Sequence, residues 1–257
     1  MTARPALTRV LLLAILGGLT AAIATAAFHT LASEPVIERA IALEASMAAA
    51  HGHAEGAPVV TREVQRLGLW IGWLGIGITY ATIAGAAYFL AWPRLPEATA
   101  WRWRAFIGAA GGWALGVFPL LRFPANPPAV GDPATIGQRT TDFLLLEILS
   151  VAVIVIAVTL WHVERARRPR LALALAIVAW ALGSLALYTF IPQAPAPAVP
   201  AESVEIVAQF RVLTILGQVL FWGVFAVAFA ALPGWRPLAL DAATNHGSGR
   251  TARAGAR

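Results

Sequence analysis

Long apolar runs, separated by short stretches where charges and prolines gather, recur six times along the chain. A helix crossing about 30 Å of hydrocarbon needs roughly 20 mostly apolar residues. Six segments meet that need, approximately 10–32, 67–92, 105–121, 143–161, 171–191 and 212–232. The pattern predicts an all-α, polytopic membrane helix bundle forming a single transmembrane domain over residues 1–235. Residues 236–257 lack apolar periodicity and read as a disordered tail. Gly108, Gly112 and Gly116 repeat at four-residue spacing in the third run, and Gly68 and Gly72 do so in the second. That spacing predicts faces that pack closely on neighbouring helices.

Composition agrees with the pattern: 59% of residues are hydrophobic and 12% charged, outside the range of ordinary soluble domains. There is no Cys and no Lys, all 19 basic residues being Arg. This removes disulfides, thiolate metal sites, Schiff-base chemistry and the phosphate-loop Lys. The basic residues flank apolar runs and form no continuous basic face, so they point to membrane topology and exclude nucleic acid as a partner. With the N-terminus inside, 13 Arg fall on the inner side and Arg39, Arg62, Arg66, Arg122, Arg139 and Arg211 on the outer. The expected topology therefore has both termini in the cytoplasm and an acidic outer face. The first run exceeds the length of a signal-peptide core and is expected to remain as a span.

Two outer segments hold most ionisable groups. In the first, about 33–66, Ser33-Glu34-Pro35 resembles a helix cap with proline in the first turn and predicts a short surface helix. Glu34 and Glu38 share one face of it. His51 and His53 follow in a Gly-flanked stretch, and His-x-His beside carboxylates suits divalent transition metals. The plainer alternative is a solvated loop that binds nothing. His29 and Glu147 lie inside predicted spans, roughly 5 to 8 Å below the outer boundary by helix rise. Ionisable groups at such depth mark an ion path or a structural pair. The ion-path reading puts both in one interior cavity at similar depth; the plainer reading pairs Glu147 with Arg139 and lets His29 reach the interface.

The second outer segment, about 122–141, reads "RFPANPPAVGDPATIGQRT". Pro124, Pro127 and Pro128, with Asn126 between them, cannot continue a helix. Gly131-Asp132-Pro133 adds a turn, and Arg139 and Asp142 stand three apart where the fourth span begins. The segment is expected to be an ordered, non-helical loop lining the mouth of the bundle.

"PANPP", "AVGDP" and "IG-x-RT" ahead of an apolar span, together with "EPVIERAIALE" and a His-containing acidic loop, resemble the CbtA family of predicted cobalt transporter subunits. The resemblance extends over about residues 11–232. It departs in Phe123, where an aromatic hydroxyl is common, and in six spans where five are usual. It implies a multi-pass protein of the bacterial inner membrane, cobalt supply linked to cobalamin, and a small single-span, CbtB-like partner.

The leading expectation is a permease subunit for Co2+ or Ni2+, carried as cargo and not held as a cofactor. Its candidate metal ligands are His29, Glu34, Glu38, His51, His53 and Glu147. A non-transporting scaffold is the alternative. An enzyme would need a nucleophile motif, a His cluster or paired catalytic carboxylates, and the chain has none.

Overall fold

The computed structural model describes residues 6–50, 60–94, 99–128, 130, 133–193 and 199–231. Six helical segments are long and apolar enough to cross a membrane: Leu7–Met47, Arg62–Ala91, Ala100–Arg122, Ile136–Glu164, Pro169–Phe190 and Ala201–Ala231. They match the six apolar runs one for one, and the described residues contain no strand.

Helix α1 (Leu7–Phe28) passes through one π-helical turn (His29–Ser33) into α2 (Glu34–Ala50), and α3 spans Arg62–Ala91. The third span is α4 (Ala100–Gly111), a π-helical stretch (Gly112–Val117) and α5 (Phe118–Arg122). Then come α6 (Ile136–Glu164), α7 (Pro169–Phe190) and α8 (Val204–Ala231). Successive spans alternate in direction, so side-chain contacts sort to two ends. At the proline-loop end, Arg211 bonds to Asn126 and Arg122 to the carbonyl of Ile191. At the arginine-rich end, Arg104 bonds to the carbonyl of Ala230, and Trp103 meets Trp161.

Helix α1 packs on α3 and α8, α4 on α8, and α6 on α7. Lipid tails are as apolar as any side chain, so helices in a bilayer associate through close packing and not through burial from water. The α1/α3 crossing shows this: Ala14, Ala21, Ala22 and Ala81 are fully buried, and a Cβ placed on Gly18 would stand 2.3 Å from the Gly77 carbonyl oxygen. From α8, Phe221, Phe225 and Phe229 form a stacked row through the core. Trp222 lies over Gly112 and Gly116, and Gly108 abuts Ala226, as the four-residue spacing predicts. Gly68 and Gly72 do not repeat this. A Cβ on either would have no atom within 4 Å. Spacing aligns small residues on one face, but only a neighbouring helix makes that face a contact.

Two local expectations need correction. No separate surface helix begins at Ser33, because the chain stays helical through the π turn. There the Glu34 N–H bonds to the carbonyl of His29, a wider winding that accommodates Pro35 without a break. The 41 helical residues of Leu7–Met47 would extend about 60 Å, twice the hydrocarbon thickness. Helix α2, with Glu34, Glu38, Arg39 and Glu44, therefore projects beyond the apolar slab together with the first turn of α3. The proline segment is irregular over 123–128, but a 3-10 turn (Pro133–Thr135) and α6 follow at once. Arg139 and Asp142 thus stand in the first two turns of α6 and not in a loop. Gly131, Asp132, His51, His53 and the 236–257 tail lie outside the described residues.

Candidate functional site

The π turn places His29 at the junction of α1, α3 and α8. The residue is 8% exposed, and its imidazole stacks on Trp73 of α3, with ring centroids 5.4 Å apart and planes 16° from parallel. Nδ1 and the Ser33 hydroxyl are 2.7 Å apart, a bond between residues four apart along the wider winding. Nε2 points at the backbone of α8, where Gly217 makes room: a Cβ there would lie 2.2 Å from that nitrogen. A side chain at 217 would require the ring to shift.

Glu147 sits on α6, half-buried, and its carboxylate accepts a long hydrogen bond of 3.4 Å from the Tyr80 hydroxyl of α3. Its partner is that phenol and not Arg139. His29 and Glu147 do not touch. An aromatic series runs between them, Trp73 on Phe221 and Phe221 on Tyr80. Trp73 and Tyr80 are seven residues apart on α3, about 10 Å of helix rise. The two ionisable groups therefore attach to this series at different levels of the bundle. Tyrosine is common in membrane helices, so nothing in the sequence marked Tyr80 as the partner.

At the projecting end, Glu34 and Glu38 form one four-membered charge cluster with α3. Arg62 bonds to Glu34 at 2.7 Å and to Glu38 at 3.0 Å; Arg66 bonds to Glu34 at 3.2 Å and to Glu38 at 2.8 Å. The shared helix face predicted for the two carboxylates is present, but it is turned to two guanidiniums. The Arg62 hydrogen bond, with Arg66 beside it, holds the Glu38 carboxyl below its ordinary range. The missed signal was the Arg-x-x-x-Arg of the next helix, whose four-residue spacing matches Glu-x-x-x-Glu.

The proline segment is tied to α8 and α6. Arg211 of α8 reaches the side chain of Asn126 at 2.8 Å and the carbonyl of Ala125 at 3.3 Å, Pro127 is buried, and Pro124 is half-buried while Pro128 is exposed. Below it, one carboxylate oxygen of Asp142 and the amide oxygen of Gln218 are buried without a hydrogen-bond partner. Among the described residues no three His, Cys, Asp or Glu side chains converge as a metal site would require.

A family model described as "Probable cobalt transporter subunit (CbtA)" matches residues 7–233, the whole bundle from α1 to α8. The chain belongs to the CbtA family. No curated protein and no solved structure matches it. Among the described residues of this CbtA-family chain, six helices are long and apolar enough to cross a membrane. The segments that carry the resemblance lie at one end of the bundle: the α1–α2 junction, which contains His29, and the proline segment, which Arg211 ties to α8.

Proposed function

We propose that this chain is the membrane-embedded subunit of a Co2+ uptake system, with Ni2+ as a related cargo, serving cobalamin-linked cobalt supply. The family match carries the reading. The geometry supports it with oxygen acceptors inside an apolar bundle: Glu147 with one long contact, and Asp142 and Gln218 with buried unpartnered oxygens. Carboxylates below the surface are costly without compensation, and a passing cation supplies it. Asp142 and Glu147 are separated by about 7.5 Å of α6, a step between successive ion positions.

In this reading the proline-loop end faces outward, following the Arg asymmetry, and both termini are cytoplasmic in the bacterial inner membrane. His51 and His53 collect the ion, His29 takes it at the mouth, and Glu34 and Glu38, neutralised by Arg62 and Arg66, brace that mouth more than they ligate. A small single-span, CbtB-like subunit completes the system. An inside-negative potential drives cation entry at about 2.3 kcal/mol per charge per 100 mV.

One observation favours the alternative of a non-transporting accessory subunit: the described residues assemble no three-ligand site. Radioactive cobalt uptake decides between them, in cells expressing the chain alone, the chain with its single-span partner, the partner alone, or neither. Uptake that requires the chain and falls in Glu147→Gln supports the transport reading. Uptake that needs only the partner, or is unchanged by Glu147→Gln at equal expression, makes this chain a scaffold.

A further inference from the structure

At the arginine-rich end a cavity of about 780 Å³ separates α4 from the α6–α7 hairpin. Two indole pairs prop it open. Trp103 meets Trp161 with centroids 5.4 Å apart, and Trp113 meets Trp180 at 5.2 Å. Between the pairs, Ala110, Ala157 and Ala176 leave room among larger apolar neighbours such as Phe106, Ile154 and Leu173, and the indole pairs keep the helices from closing on one another. Trp103 and Trp113 are ten residues apart, a slot about 15 Å long. Its wall is almost wholly apolar, which excludes a bare divalent cation. Helix α7, where Ala172 is the one buried residue, supplies Leu173, Ala176, Ile177 and Trp180 to the slot's wall.

Where the apolar wall ends, Arg102 and Arg165 take over the lining. Arg165 lies over the Trp161 ring at 4.7 Å and Arg102 over the Trp101 ring at 5.3 Å. Among the described residues the carboxylate nearest in sequence is Glu164, which forms no ion pair there, and Arg167, Arg168 and Arg170 follow it. The slot therefore joins a hydrocarbon-lined interior to a cationic rim, at the level where lipid headgroups lie.

We infer that this slot is a binding site for one anionic phospholipid, its acyl chain between the two tryptophan pairs and its phosphate on Arg102 and Arg165. Guanidinium suits phosphate through its planar donor fork, and basic pockets between membrane helices on one side of a bilayer bind lipid headgroups. The lipid fills a seam that protein side chains leave open and so seats the α6–α7 hairpin, which carries Glu147, against the body of the bundle.

The test is native mass spectrometry of the purified full chain titrated with phosphatidylglycerol or with phosphatidylcholine of the same acyl chains. One phosphatidylglycerol is expected to be retained at activation energies that strip phosphatidylcholine. Arg102→Gln with Arg165→Gln should weaken phosphatidylglycerol binding roughly 30-fold and abolish the preference. Arg102→Lys, which keeps the charge, should largely preserve it. Ala176→Phe should fill the slot and displace both lipids. If the double variant misfolds, the single Gln variants read the same effect at roughly five-fold each. Equal retention of the two lipids, preference surviving the Gln variants, or phosphatidylglycerol held normally by Ala176→Phe would each overturn the assignment. A partner helix occupying the slot gives the first of these results in the isolated chain.

Discussion

Gly18→Ala adds one methyl group at the tightest point of the α1/α3 crossing. The new Cβ would lie 2.3 Å from the Gly77 carbonyl oxygen and 2.6 Å from the Ala81 Cβ, where ordinary contact begins at 3.4 Å. The obstacle is backbone, so no rotamer change relieves it, and the two helices must part by roughly 1 Å over a crossing built from small residues. Overpacking of this kind costs about 1–3 kcal/mol. Working against it, Ala is favoured over Gly within a helix by about 1 kcal/mol. Gly72→Ala on α3 has that gain without the clash, since nothing lies within 4 Å of its Cβ. The two substitutions, chemically identical, should therefore differ in sign. Thermal unfolding of purified protein in detergent, followed by intrinsic fluorescence, should show Gly18→Ala several degrees below wild type and Gly72→Ala level with it or above. Equal midpoints for the two variants, or Gly18→Ala at or above wild type, would refute the close crossing.

Three further outcomes are expected. Glu147→Gln should strongly reduce cobalt uptake at normal membrane insertion, and Tyr80→Phe, which removes only the hydroxyl, should reduce it less; the measurement is initial uptake rate at equal expression. Gly217→Ala should push the His29 ring off Trp73 and weaken uptake at low cobalt more than at high, with a shifted tryptophan emission as the structural readout. Because Arg62 and Arg66 lower the Glu38 carboxyl, its contribution to stability is complete above the ordinary carboxylate pKa, about 4.3, and disappears as pH falls through the lowered value. Unfolding midpoints of wild type should hold down to roughly pH 4.5 and then fall, and Glu38→Gln should flatten that fall.

Length and hydropathy determined the six spans, because crossing a bilayer is a requirement each segment meets by itself: enough apolar residues and a backbone that bonds internally. The proline segment was likewise legible, since proline's missing donor acts on its own neighbours, and there Pro124 to Pro128 end the helix as expected. Everything that depends on which face meets which neighbour was decided only by tertiary structure. Gly112 and Gly68 belong to the same sequence pattern, yet one lies under Trp222 and the other has no neighbour. Glu34 and Glu38 presented a shared face in the sequence, and whether it met a cation or two guanidiniums depended on α3 returning alongside with Arg62 and Arg66. Glu147 was visible as a charge in an apolar span, but its partner Tyr80 lies 67 residues away. Hydropathy is a property of one segment, whereas pairing is a property of two, and in a bilayer the close packing that selects the pair leaves little trace in either segment alone.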